Sequence, residues 1–349
     1  ADNGVYVDIQ WTATGEGTQY VTKIEDSSAS GNDTLGYYEL NGIRNTVSRG
    51  ALIGGTPDKP TEVTFTATVK NAENGNVIGT LDYPAIIGAP ISVSANQPDT
   101  LPQFTAISDG TPSSTSATKF TGVVPITLKG ADAIESVPSG CVTMANSNTE
   151  SNAGEVSFRT ITVDKVEKSG DVLNVTVTVT TGNIGGVWNE NSSVPKFSEG
   201  ILPNIAIDTS NFQLKENTLG WYLPPDTLKL GDMAVKVLTP AFTGVDLAND
   251  PTGPTFTIQT QNMPENATVE VAKTTVSVAD IDNATKKDAT RGSDGKYSVT
   301  FNKSDFEAGA EYYLWFRYGS PGSDWAYENR TNRPIYTFNN TTGGNTGSE

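Results

Sequence analysis

The chain reads as an all-β protein, two or three β-sandwich domains in tandem, on three observations. Leu173, Val175, Val177 and Val179 alternate without a break with Asn174, Thr176, Thr178 and Thr180, the period-two signature of a strand with one buried and one wet face. The same Val/Thr alternation beside a Gly/Asn/Asp turn recurs from one end of the chain to the other, with the density of short strands that sandwiches show. At 349 residues the chain exceeds what one ordinary core holds, and long helix-forming runs of Leu, Ala, Glu and Lys are scarce.

Taken in order, Val5, Val7, Ile9 and Trp11 alternate with Tyr6, Asp8 and Gln10. They predict a first strand that can sit in its own sheet or in a neighbour's. Val63, Phe65, Ala67 and Val69 predict one arm of a hairpin and residues 77–83 the other, around Asn74-Gly75, the strongest short hairpin signal. Ile91 and Val93 are expected to close this unit, and residues 96–102 read as a linker, so a first β domain is placed at 1–97. A Ser/Thr-rich loop at 109–119 leads to a strand at 123–128. A central hairpin follows, its arms joined by Glu167-Lys168-Ser169-Gly170-Asp171. The apolar phase slips between Val156/Phe158 and Ile161/Val163, which predicts a β-bulge or a sheet-changing corner near Thr160.

From 182 to 223 the pattern breaks into Gly, Asn and Pro with Trp188, Trp221 and Tyr222. This predicts a long loop insertion, the kind of segment that often carries function. Val235, Val237 and Phe242 return to strand character, and residues 246–254 read as a second linker. A central β-sandwich is therefore expected at 103–246 and a C-terminal domain at 253–341, with 342–349 a flexible tail that has nothing to bury.

Composition bounds the chemistry. A formal charge of -17 repels nucleic acid and anionic lipid, so neither is expected as a partner, while leaving carboxylates for divalent cations. The chain has no histidine. That removes Ser-His-Asp and Cys-His catalysis, His-ligated zinc and the usual base near pH 7, and no enzyme is expected. Cys141 is the single cysteine; set in Ser-Gly-Cys-Val-Thr it reads as a small core residue, not as a reactive thiol. No apolar run approaches membrane-spanning length. The opening Ala1-Asp2-Asn3-Gly4 reads as the start of a mature exported chain, hence an extracellular location.

Each candidate site also has a blander reading. Ser116-Ala117-Thr118-Lys119 matches S-x-x-K but lacks the companion motifs and the helix that this chemistry needs, and reads as chance. Asp280 and Asp282, and Asp246 with Asp250, offer hard oxygen ligands for calcium, though neither stretch has the EF-hand spacing and both read more readily as solvated turns. A pair of glycosidase carboxylates has no local motif behind it. N-x-[ST] sequons stand at Asn32, Asn174, Asn191, Asn266, Asn283, Asn302, Asn329, Asn339 and Asn340, and N-linked glycans are the other non-protein group left open. Tyr313 and Trp315, with Trp325 and Tyr327 nearby, form an outward binding patch unless a loop or the adjoining domain covers them.

Gly309-Ala310-Glu311-Tyr312-Tyr313-Leu314-Trp315-Phe316 resembles the strand that follows a Gly-x-Glu-Tyr corner in fibronectin-III and related immunoglobulin-like modules. The resemblance covers about ninety residues and implies that Tyr312 is a corner tyrosine, its hydroxyl tied to upstream backbone. It also implies that Tyr312, Leu314 and Phe316 face the core while Tyr313, Trp315 and Arg317 face out. As a whole the chain resembles the surface-layer glycoproteins of methanogenic archaea, which carry tandem immunoglobulin-like modules rich in Thr, Asn and Asp. That implies a self-assembling structural subunit whose partner is itself. Val5, Val7, Ile9 and Trp11, and the aromatics Trp188, Trp221 and Tyr222, are the candidate contact residues. The alternatives are a filament subunit joined by donor strands, in which the first strand inserts into a neighbour, and a carbohydrate-binding adhesive module using the outward aromatics.

Overall fold

The computed structural model describes residues 7–24, 27–29, 51–94, 98–107, 119–145, 155–156, 158–181, 199–238, 240–250, 252–275, 284–319, 327–328 and 334–339. Among these the chain is all-β, with only short 3-10 turns of helix. Three apolar cores account for most of the burial, and each belongs to one sheet system.

The N-terminal sheet contains β1 (Val7–Thr14), β2 (Thr61–Asn71) and β3 (Val77–Ile87). Its spatial order is Ser27–Ala29, β1, β2, β3. β1 pairs antiparallel with β2 along its whole length, from Val7↔Asn71 to Thr14↔Thr64, and with Ser27–Ala29 on its other side. The β2–β3 hairpin turns at Asn74-Gly75 as predicted, with the Gly75 amide donating to the Asn71 carbonyl at 2.8 Å. Its core is small: Trp11, Val63, Phe65 and Ala67, with the Trp11 and Tyr83 rings 5.7 Å apart.

This unit ends earlier than the sequence suggests. Ile91 is fully buried in the next core, and Ser92–Val93 pair with Leu128 and Lys129. Apolar alternation says that a residue is buried but not in which core, so 96–102 is not the boundary.

The central system comprises β4 (Gln103–Ala106), β5 (Lys119–Lys129), β6 (Phe158–Ser169), β7 (Val172–Thr181), β8 (Glu199–Ile207) and β9 (Leu228–Leu238). They run β6, β7, β5, β4, β9, β8 across the sheet, with β4 and β9 parallel. Glu155–Val156, immediately before β6, pair in parallel with Glu199 and Gly200 of β8. The sheet therefore closes on itself around one core, in place of the two facing sheets expected for residues 103–246. Closure requires a tight approach at the seam: a Cβ on Gly200 would lie 2.4 Å from the Phe158 ring.

The predicted phase slip is real. The β6–β7 register shifts between Phe158 and Thr160, and again between Val163 and Lys165. The first shift falls where the strand leaves β8 for β7. Leu173, Val175, Val177 and Val179 all face the core and are fully buried, as their alternation predicts.

The C-terminal system comprises β10 (Ala241–Asp250), β11 (Gly253–Gln261), β12 (Thr268–Thr274), β13 (Thr285–Arg291), β14 (Tyr297–Thr300) and β15 (Glu311–Gly319). Residues 246–254, expected as a linker, are instead the far end of the β10–β11 hairpin, paired out to Asp250↔Gly253. Turn-forming residues mark a reversal of the chain, and a reversal inside a sheet reads in sequence like a break between sheets. β10, β11 and β14 form one layer and β12 and β15 the other. β13 crosses between them, pairing with β12 over residues 285–289 and with β14 over 290–291. Phe242, Phe256, Ile258 and Val299 meet Val269, Val271, Leu314 and Phe316 between the layers, with Phe242 and Phe316 5.7 Å apart.

Candidate functional site

Strand β15 presents two buried faces. On the first, Tyr312, Leu314 and Phe316 lie in the core of the C-terminal system. The Tyr312 hydroxyl accepts the Glu307 backbone N–H at 2.7 Å, so it is tied to upstream backbone as an acceptor. Lys273 extends its Nζ over the rings of Tyr312 and Phe306, 4.6 Å from each centroid. Burial lowers its pKa, against the opposing pull of Asp305 and Glu307.

The second face overturns an expectation. Trp315 and Arg317 are each only 5% exposed. Trp315 Nε1 donates to Thr274 Oγ1 at 2.9 Å, and Trp315 packs with Ala272 and Ala284. Arg317 grips Glu270 through Nε at 2.8 Å and Nη2 at 2.7 Å, both on Oε1. Neither residue is an outward binding group. The outward reading misses this because strand alternation separates the two faces without saying whether the second is wet. Arg317 and Glu270 face each other across the β12–β15 register, a pairing that sequence alone does not reveal. Of the other aromatics in that patch, Tyr313 is half-buried, and Trp325 and the Tyr327 side chain lie outside the described residues.

The candidate contact residues divide similarly. Val7 and Trp11 are buried and Ile9 is half-buried, all within the N-terminal sheet. Trp221 and Tyr222 pair in parallel with Ala89 and Pro90, the Gly220 and Tyr222 carbonyls accepting the Ala89 and Ile91 amides at 2.8 Å each. The Trp221 ring lies against Gly130, where a Cβ would come within 2.6 Å, so this ring is an internal contact of the chain and not a free surface. Tyr222 remains exposed. Val5 and Trp188 lie outside the described residues.

A surface that sequence reading passed over is β3. Val77, Ile78, Leu81 and Ile86 are 59%, 57%, 49% and 39% exposed, four of the ten large exposed hydrophobics in the described structure. Among the described residues, β3 ends its sheet with β2 on one side and no strand on the other. The Asn74-Gly75 turn marks the hairpin in the sequence, but the strand's position at the edge depends on strand order, which the pattern does not carry. Near its end, Ile86 approaches Gly220, which follows exposed Leu219.

The remaining candidates are scattered. Asp246 is exposed and accepts a hydrogen bond from Gln259 Nε2 at 2.9 Å, while Asp250 sits at the end of β10 and Asp280 and Asp282 lie outside the described residues. Among the described residues no three Asp, Glu or Cys groups converge as a metal site. Asn266 is exposed in a turn, and Asn302 is exposed at the start of a 3-10 turn, its backbone N–H donating to Asp305 Oδ2 at 3.2 Å. Asn339 is half-buried. Asn174 stands mid-strand in β7, flanked by Pro125 and Glu167. Asn32, Asn191, Asn283, Asn329 and Asn340 are outside the described residues, as are Ser116, Ala117 and Thr118 of the S-x-x-K match. Cys141 is buried, which pushes its thiol up to about 11; this is the setting of an inert core cysteine. No helix among the described residues is long and apolar enough to cross a membrane.

Neither a scan of protein-family models nor a search of curated proteins finds a match to the chain.

Proposed function

We propose that the chain is a structural subunit of an extracellular surface layer or sheath, one that assembles with copies of itself into a repeating lattice. One observation carries this reading over its nearest rival. The N-terminal strand is paired on both sides within its own sheet. A donor strand must instead be free to complete a neighbour, and β1 is already used. A lattice subunit keeps such a strand at home and makes contact by other surfaces. The tandem immunoglobulin-like reading has its best support in the C-terminal unit, with two layers, a strand crossing between them and Tyr312 tied to upstream backbone. The adhesive-module reading loses its main support, because Trp315 is buried.

On this proposal the subunit has no catalytic role, the exposed sequons Asn266 and Asn302 are the favoured glycan sites, and calcium acts between subunits by bridging surface carboxylates. The test is size-exclusion chromatography with light scattering on the full chain across calcium and salt, followed by negative-stain microscopy. Extended two-dimensional sheets are expected. A chain that stays monomeric at high concentration under every condition overturns the proposal.

A further inference from the structure

We propose that β3 is a contact between copies: two β3 strands pair antiparallel, edge to edge, across a two-fold axis, and join two N-terminal sheets into one. This rests on the self-assembly reading and names a surface for it.

The first argument is the chemistry of an open edge. An unpaired strand edge offers alternating N–H and C=O groups, and its complement is another strand. Pro84 indicates which residues face outward. A proline in a sheet sits where its missing N–H points away from the partner strand, and Pro84 is paired with Thr64 of β2. By the period of two, Asp82 and Thr80 then turn their main-chain groups to the open side as well.

The second argument is charge. The chain carries -17, so two copies approach with least repulsion where carboxylates are few. Between Val77 and Ile87 the one carboxylate is Asp82, and it already accepts a hydrogen bond from Thr66 Oγ1 at 2.6 Å. Natural edges are commonly blunted by lysine; this one has no lysine, and its proline lies toward one end.

The third argument is self-complementarity. A two-fold perpendicular to the sheet keeps the core face of one copy continuous with that of the other. With Leu81 on the axis, leucine meets leucine, and Thr80 of each copy faces Asp82 of the other, so the two exchange main-chain hydrogen bonds and the carboxylates stay apart. Leu81 shares its face with Ala67 and Phe65 of the N-terminal sheet, so its exposed half is a continuation of that core. A seven-residue ladder is about 24 Å long. That makes a small, weak contact by the standards of stable dimers, suited to a lattice in which many contacts act together.

The experiment places cysteine on the axis. Cys141 is buried with a raised pKa and stays silent to a mild oxidant. Leu81→Cys is expected to give a disulfide-linked dimer under assembly conditions, because directly opposed residues of antiparallel strands come within bridging range. Lys165→Cys, exposed on the central sheet, is the background control. Adding Thr80→Pro removes a donor from the open side without touching the β2 ladder. It is expected to bring cross-linking down to that control, while circular dichroism and the melting temperature stay unchanged. Assembly by light scattering with Leu81→Cys no more cross-linked than Lys165→Cys overturns the edge contact and leaves self-assembly standing. A chain monomeric throughout overturns both.

Discussion

Tyr312 and Arg317 make opposite faces of one strand testable at the level of single atoms. Tyr312→Phe keeps the ring between Lys273 and Phe306 but leaves the Glu307 N–H without its acceptor. A partly buried donor left unpaired costs about 1–3 kcal/mol, read as a lower midpoint in urea unfolding, whereas Tyr313→Phe is expected to change little. Equal losses at both positions would rule out a special role for the Tyr312 hydroxyl. On the other face, Arg317→Met takes the guanidinium away from the largely buried Glu270 side chain, and breaking such a pair from one side costs about 3–5 kcal/mol. The double variant Glu270→Leu with Arg317→Met removes both charges and is expected to recover most of that loss. A double variant no more stable than the single one contradicts a buried-charge origin.

At the scale of elements, the central hairpin shows how far a sequence can be read. Val175, Val177 and Val179 are legible because burial on one face and water on the other impose the period of two, and the slip at Thr160 is legible because a bulge shifts that period. The outward hydroxyls are organised too: Thr178 donates to Asp164 Oδ2 at 2.6 Å, and Thr160 bonds Thr180. Val177→Asp places an unpaired carboxylate in a closed core and is expected to unfold the central system. Thr178→Asp sets a second carboxylate beside Asp164 and should cost about 1 kcal/mol. The reverse order in thermal melts would invert the face assignment.

What the period does not carry is strand order. The closure of the central sheet, the open edge at β3 and the burial of Trp315 all depend on which strands lie side by side, so they were illegible where the strands themselves were plain. Core placement has a pH consequence as well. Burial raises Cys141 from 9.0 to about 11, so the folded state holds that proton more tightly than the unfolded chain. Stability from this group is complete below pH 9 and is lost as pH rises toward 11. Cys141→Val is therefore expected to flatten the fall in melting temperature over that window. An identical fall in both proteins removes Cys141 as its cause.

For the whole molecule, assembly must overcome charge. Copies bearing -17 each repel over a distance set by salt, about 8 Å at 0.15 M ionic strength and about 30 Å at 0.01 M. Association is therefore expected to strengthen with ionic strength or millimolar calcium and to weaken in chelator at low salt. Deleting residues 1–11 then separates a lattice from a fibre. The deletion removes Val7, Ile9 and Trp11, and with the last two a large part of the small N-terminal core. Loss of a buried Trp alone costs about 3–5 kcal/mol, and β2 loses five of its eight pairings with β1. The N-terminal unit is expected to become protease-sensitive while the central and C-terminal systems, whose cores are separate, stay folded. In a donor-strand fibre the deletion abolishes polymers altogether and leaves an unstable, incomplete domain, whereas in a lattice the contacts made elsewhere persist. Light scattering on the deletion variant distinguishes the two, and a folded, resistant N-terminal unit under limited proteolysis would refute the assignment of β1 to its own sheet.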